Sequence, residues 1–521
     1  MFTSRALSSR SRRIFSVALP VALILVGGVI ARCLLFGEIP APINQDEAFA
    51  GYEAYSLLTT GMDSAGYPFP VYLTAWGSGM NALESYLMIP FIALFGLKTW
   101  VIRLPQLIVG CFSLWVLYLL MRRLADEKTA LCSLLVLSIC PWHIMLSRWA
   151  LESNLAPGFL LFGLYFFVRG LDNSRFFMLS ALMYGLSLYC YATIWPFVPF
   201  IILLSVIYCG WQGKLKFDRW LLLSGVILGL LALPLLLFMA INFGWMDEIV
   251  LPFFSIPRLV YMRASEFSFS DIFSKLRLFL SVMIKQSDGQ IWNSPGLYGL
   301  LYLISLPFMA LGFLCCAKRI ILSFRQLRFC PEFLILPQLL SGVVMGITIN
   351  VNVNRINIIF IPLVILTGIG IRCALDLWHG KLAAPIFILY AICFICFEVY
   401  YFTDYPQLSS RHFCQGVDHA VETAASFERP VYVIGNIEHS RILFCSKQDP
   451  QEFRDTIKYT NYPSAFLKPS EFGRWHFTDA PPAQPDPDAV YLFDQTEIPE
   501  SFAADHFVQE CYGYYSIAYV P

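Results

Sequence analysis

The chain has 521 residues, of which 57% are apolar and only 14% charged, with a mean hydropathy of +0.63. A soluble protein carries roughly 25% charged residues, so an all-soluble architecture is excluded. Thirty-six basic against thirty-six acidic side chains leave no net charge, which excludes a nucleic-acid binder working through a global basic field.

Apolar runs of bilayer-spanning length recur along most of the chain. The first, 15–36, follows Arg5, Arg10, Arg12 and Arg13. It is too long for a signal-peptide core and lacks a small-residue cleavage site, so it reads as a span with a cytoplasmic N-terminus. Further runs lie at 101–121, 130–147, 155–168, 176–192, 195–211, 220–240, 296–317, 333–351, 356–374 and 383–403. The expected fold is a polytopic α-helical membrane protein of roughly eleven transmembrane helices. Basic residues test the topology. Arg122, Arg123 and Lys128, then Arg169 and Arg175, Lys214, Lys216 and Arg219, Lys318 to Arg328, and Arg372 with Lys381 fall in connections on one side. The short connections opposite hold chiefly Arg148 and Arg355, an asymmetry that makes the first set cytoplasmic.

Three longer segments then face outward. Segment 37–100 contains an apolar helix at 83–95 that is too short to span. Segment 242–295 is the second. The third is the tail after 404, expected to be a small extracytoplasmic α/β domain (405–521) beside a membrane domain at 1–404. In the tail, 430–435, 442–446 and 489–494 read as strands and 449–459 as a capped helix. Most of the fifteen Cys lie in apolar runs and read as small core residues. Cys414, Cys445 and Cys511 in the tail are an odd trio with no disulfide framework.

Several functions fall away. There is no GxxxxGK[ST] for an ATP-driven pump and no HExxH of a zinc protease. Asp486 and Asp488 form a DxD, but within PPAQPDPDAV they read as a solvated turn. An enzyme acting outside the cytoplasm has no nucleotide sugars at hand and must draw an activated substrate through the membrane, most simply on a lipid.

Four features can carry such chemistry. Asn44-Gln45-Asp46-Glu47 opens a helical pattern, so Asn44 or Asp46 is either an N-cap or part of an acidic site offering a general base. Arg148 and Glu152 are four apart, which reads as a self-neutralising pair on one helix face or as a functional cavity at the membrane boundary. Asn350, Asn352, Asn354 and Arg355 crowd an outer membrane edge, where Arg355 either snorkels or grips a lipid phosphate. Asp288, Trp292 and Asn293 form either a turn with an interfacial aromatic anchor or a platform for a sugar ring.

The stretches INQDEAFAGYEAYSLLTTGMD, VYLTAWGSGMN, LFGLKTWVIRLP, MLSRWALESN and NVNRINIIFIPL, in this order, resemble the GT-C glycosyltransferases. The likeness is to bacterial members of the group related to protein O-mannosyltransferases and lipid A aminoarabinose transferases, and it runs over most of the first 400 residues. It implies a multi-pass plasma-membrane enzyme, with Asp46 as catalytic base, or orienting the acceptor, and Glu47 completing the acidic pair. It places Glu152 at a second acidic site, Arg355 at the donor phosphate with Arg148 in support, and Arg103 as a recurring arginine with either a phosphate-binding or a structural role. Tyr52, Trp76 and Asn81 lie in the same stretches and join Glu152, Asp288, Trp292, Asn293, Asn352 and Asn354 as substrate-binding candidates. Some members bind a divalent metal; Glu84 and His143 are the candidate ligands here, though they form no cluster. The large sugar-binding insertion of eukaryotic protein mannosyltransferases is missing, which weakens a protein acceptor.

The expected partners are a polyprenyl-phosphate-linked sugar and a glycan, lipid or protein acceptor, with single-displacement inversion. Two other classes use the same charges without catalysis: a flippase for a lipid-linked saccharide, which calls for inverted repeats and broken spans, and an envelope-assembly scaffold docking through its tail.

Overall fold

The computed structural model describes residues 2–262, 271–499, 502 and 507–521, with side chains from residue 18 onward. The N-terminal arginines and residues 263–270 of the second outer segment therefore lie outside what is described.

Each expected apolar run carries helix. The long helices are α1 (Phe2–Cys33), α2 (Gln45–Thr60), α3 (Leu83–Phe95), α4 (Leu104–Leu124), α5 (Glu127–Ile139), α6 (Ala156–Asp172), α7 (Phe176–Ser187), α8 (Phe197–Trp211), α9 (Arg219–Asn242), α10 (Ile272–Lys285), α11 (Ser305–Gln326), α12 (Leu336–Thr348), α13 (Phe360–Leu377) and α14 (Ala383–Thr403). Among the described residues, eight helical segments are long and apolar enough to cross a bilayer, and the apolar part of α1, α3 and α7 are shorter. Two boundaries differ from the sequence reading. The run 130–147 breaks at Cys140, whose extended backbone (φ −71°, ψ 134°) precedes Pro141; a residue before proline is pushed out of the helical region. The run beginning at 296 turns helical only at Ser305, after Gly299 and Tyr302 have taken positive φ.

The spans pack at α11 with α13, α6 with α7, and α5 with both α4 and α13. Glycine sets the closest of these approaches: a Cβ on Gly312 would lie 1.8 Å from the Leu366 carbonyl oxygen, and one on Gly370 1.7 Å from that of Phe308. Small residues let helix backbones meet where lipid supplies no hydrophobic drive.

The tail builds a seven-stranded mixed sheet from β1 (Val431–Ile434), β2 (Lys458–Tyr459), β3 (Pro469–Phe472), β4 (Trp475–Thr478), β5 (Val490–Phe493), β6 (Val508–Tyr512) and β7 (Tyr515–Tyr519), in the order β6-β7-β5-β1-β4-β3-β2. Central β1 runs parallel to β4 and β5, with Val431 opposite Trp475 and Val490; the other pairs are antiparallel. The helix expected at 449–459 is present as Pro450–Thr456, capped by the Asp449 side chain. The strand expected at 442–446 is instead the helix α15 (His439–Ser446). Its four consecutive apolar residues are buried because it lies between the sheet and α2, with both sides covered; a short apolar run does not by itself distinguish strand from buried helix.

That contact makes the tail less separate than the sequence suggested. Ile43, Phe49 and Leu57 of the first outer segment share one apolar core with Val431, Leu443 and Trp475 of the tail.

Candidate active site at the end of the helical bundle

The first outer segment begins with α2. Asn44 is its cap, accepting the Asp46 N–H at 2.9 Å, and Glu47 closes a capping box by accepting the Asn44 N–H at 3.0 Å. Asp46 is thereby excused from capping and stands, half-buried, in the first turn, where the helix N-terminus favours a carboxylate.

Glu47, expected as the second member of a catalytic pair, is a structural residue. Its carboxylate is fully buried and accepts Arg103 Nε and Nη2, both at 2.8 Å, and the Ala150 N–H at 2.7 Å, besides Asn44. Arg103 is equally buried and gives its remaining hydrogens to the carbonyls of Pro40 (2.6 Å), Pro42 (3.1 Å) and Gly37 (3.4 Å). No donor is left for a phosphate. Arg148 is also withdrawn: fully buried, it donates to the carbonyls of Ala31, Arg32, Leu34, Leu35 and Ile39 at 2.7–3.3 Å. It closes the C-terminal end of α1, the use of arginine at a helix end. Residues 147–151 leave the helix, so Arg148 and Glu152 face different partners rather than each other.

Glu152 opens a 3-10 turn (Glu152–Leu155) and accepts both the backbone N–H (2.5 Å) and the side-chain amide (2.9 Å) of Asn81. Three residues on, Glu84 is fully buried at the start of α3. One oxygen accepts Gln106 Nε2 at 2.9 Å, and the other has no hydrogen-bond partner among the described residues. Burial pushes Glu84 well above the usual carboxylate range, and the charges of Glu152, Glu47 and Asp46 push the same way. The charges of Asp46, Glu47 and Glu152 are thus all felt at Glu84, and of these acidic groups Asp46 and Glu152 are the half-exposed ones.

The arginine-bearing loop is bonded to the turn that carries Glu152. Asn357 accepts Trp142 Nε1 at 2.9 Å and donates to the Ser153 carbonyl and Asn154 Oδ1, each at 3.3 Å, tying the loop to the Glu152 turn. Asn352 caps the Arg355 N–H at 2.8 Å, and Arg355, half-exposed, reaches the Asn350 carbonyl at 3.3 Å. Asp288 is a loop tie: it accepts the Val353 N–H at 2.9 Å and Asn293 Nδ2 at 2.7 Å. Trp292, Asn293 and Asn354 line a small pocket with Trp142, Trp149 and Asn154. The Asn293 Oδ1 there is buried without a partner among the described residues.

Two expected binding residues face the tail instead. Tyr52 is fully buried with its hydroxyl donating to the Gln448 carbonyl at 3.0 Å. Trp76, in left-handed backbone (φ 61°), packs between Phe49 and His439, and its carbonyl accepts the Leu467 N–H at 2.8 Å. Of the candidate metal ligands, His143 has its Nδ1 against Arg32 Nη2 at 2.7 Å. Among the described residues no three His, Cys, Asp or Glu groups come together as a metal site, so the side chains as placed do not fit such an ion. Gln106, Asn154, Asn357, Trp142 and Trp149 escaped the sequence reading; the Asn of ESN and of NRIN were the legible hints.

Residues 83–238 match the family described as dolichyl-phosphate-mannose-protein mannosyltransferase. Among solved structures, apo ArnT from Cupriavidus metallidurans superposes with a TM-score of 0.54 at 14% identity, over 97% of this chain and 98% of that one. ArnT bound to undecaprenyl phosphate gives 0.55 at 15%, over 96% and 97%. The chain shares the GT-C fold. The archaeal oligosaccharyltransferase AglB from Archaeoglobus fulgidus, in complex with an inhibitory peptide and a dolichol-phosphate, aligns at 0.50 and 11% identity over 87% of this chain and 66% of its own. A search of curated protein sequences gives no match. The fold expected from the sequence is therefore found, with ArnT matched over nearly its whole length.

Proposed function

We propose that this chain is a membrane glycosyltransferase that moves a monosaccharide from a polyprenyl-phosphate donor to an acceptor outside the cytoplasm, with inversion at the anomeric carbon. The observation that supports the reading is that half-exposed Asp46 and Glu152 both act on buried Glu84, and that the loop holding Arg355 is bonded to the Glu152 turn. The match to a mannosyltransferase family and the undecaprenyl phosphate on ArnT support a lipid-phosphate donor.

Asp46 takes the proton of the acceptor hydroxyl as its oxygen attacks the anomeric carbon. The bond to the phosphate oxygen breaks on the opposite face, and the departing phosphate keeps that electron pair. Arg355 neutralises the charge that grows there, a task suited to a planar guanidinium. Glu152, held by Asn81, orients substrate. Glu47 and Arg103 act one step back by fixing the first turn of α2. The acceptor is a cell-envelope glycan, a lipid or a secreted protein.

Purified protein incubated with a labelled polyprenyl-phosphate hexose and envelope extract should release the lipid phosphate and label an acceptor of opposite anomeric configuration. Asp46→Asn should reduce turnover by roughly 10²–10⁴, the range of a positioned general base, while the thermal midpoint stays put. Near-normal turnover in that variant would remove the proposed base, and movement of the donor without its consumption would favour a flippase.

A further inference from the structure

Helix α10 (IFSKLRLFLSVMIK) is amphipathic in an unusual way. Phe279 and Val282 bury against the bundle, and the Phe279 ring lies where a Cβ on Gly346 of α12 would sit, 2.2 Å away. Lys275 Nζ donates at 3.1 Å to the carbonyl of Thr348, the last residue of α12. At the other end, Gln286 donates to the Tyr302 carbonyl at 3.1 Å and accepts the Leu301 N–H at 2.7 Å, just before α11 starts at Ser305. Residues 331–348 and 305–326 are both of spanning length. A helix of 14 residues, about 21 Å long at 1.5 Å per residue, is thus tied to the C-terminus of α12 and to the residues just before the N-terminus of α11, the span preceding α12. Those two ends lie at the same face of the bundle, the one carrying the site, so α10 lies across that face rather than through the bilayer.

A second apolar face remains uncovered. Phe273, Leu276, Leu280 and Ile284 are exposed at 84, 38, 47 and 63%, and their spacing of three and four residues puts them in one stripe; Leu278, exposed at 48%, lies outside it. Beside it run Ser274, Arg277, Ser281 and Lys285, with Arg277 and Lys285 exposed. The stripe is continuous with lipid-facing surface, since α12 alongside exposes Leu340 and Val344.

We propose that α10 is an interfacial helix whose stripe enters the leaflet at the site-bearing face and whose Arg277 and Lys285 select anionic phospholipid headgroups there. Such helices bury an apolar face at the headgroup boundary while basic side chains meet anionic lipid. The turn after α10 carries Asp288, which holds Val353 beside Arg355, so the lipid contact steadies the arginine loop. The inference does not depend on sugar transfer.

The full chain should be reconstituted in vesicles of seven parts phosphatidylcholine to three parts phosphatidylglycerol, with a benzophenone amino acid placed singly at 273, 276, 280, 284, 274 or 281. Irradiation should give lipid adducts at the first four positions and none at Ser274 or Ser281. Adducts at 284 should be enriched in phosphatidylglycerol about fivefold over its mole ratio, as one basic side chain near an anionic surface warrants. The enrichment should vanish in Arg277→Gln/Lys285→Gln, which touches neither the proposed site residues nor the packed face. Protein–protein adducts along the stripe, absence of lipid adducts there, or adducts that follow the bulk lipid ratio would each overturn the proposal.

Discussion

Replacing Arg103 by methionine tests whether the first turn of α2 is held as the geometry implies. The side chain is fully buried, makes two 2.8 Å bonds to Glu47, and gathers three carbonyls of the 37–42 loop. Its loss leaves the Glu47 carboxylate buried with only the Ala150 and Asn44 N–H groups as donors. Breaking a buried pair by removing one partner costs about 3–5 kcal/mol. The orphaned carbonyls would add about 1–3 kcal/mol each if nothing relaxed, but the loop can turn them toward water, so about 4–5 kcal/mol is expected in all. Glu47→Leu/Arg103→Met deletes both charges and should be less destabilised than the sum of its single variants by about 3 kcal/mol, within the range of coupled neighbours. Reversible unfolding in mixed detergents, read by tryptophan fluorescence, measures both quantities. Single-variant losses below about 1 kcal/mol, or strict additivity, would refute the assignment of Glu47 and Arg103 to structure.

Two further outcomes follow from groups outside the proposed site. Burial pushes Glu53 up to about 8 and Asp63 up to about 6, so the folded chain binds more protons than the unfolded one between about pH 4 and pH 8. Stability should therefore be highest on the acid side, decline through that window and level off above it; Glu53→Gln should flatten the decline in thermal midpoint between pH 5 and pH 8.5, and an unchanged slope would contradict the sign. Arg148→Leu should cost at least about 3 kcal/mol, since it strips charged donors from five carbonyls, and Arg148→Lys should recover only part of that because an ammonium cannot reach the same fan of acceptors. Equal stability of the two variants, read by thermal unfolding, would argue against the cap.

The membrane architecture was legible because each span writes its length into the chain, and the short helix at 83–95 was found to the residue. The opening motif was legible only in part: a cap at Asn44 or Asp46 was readable and is Asn44, whereas Glu47, read as part of an acidic pair, closes the capping box and holds Arg103. The arginines were not legible. In sequence, Arg103 and Arg148 look like Arg355, a cation at a membrane edge. Which of them stays half-exposed and which is buried on carbonyls depends on where the 31–42 segment folds back, and no local spacing records that. The helix at 439–446 was missed for a related reason, since its burial on both sides erases the periodicity that would have marked it.

The same fold-back explains why the tail bears on the site. Ser440 donates to the Gln45 carbonyl at 3.3 Å, one residue before Asp46, and Tyr52 one helical face further on is bonded to Gln448. Arg454 donates to the Asp63 carbonyl at 3.2 Å and to the Ser56 hydroxyl at 3.3 Å, near the far end of α2. Gripped by the tail along its length and by Arg103 at its first turn, α2 has little freedom to move Asp46 relative to Glu152. A general base gains its rate advantage only when its distance to the nucleophile is fixed, so on the proposed reading of Asp46 the tail enters the chemistry through the rigidity of one helix.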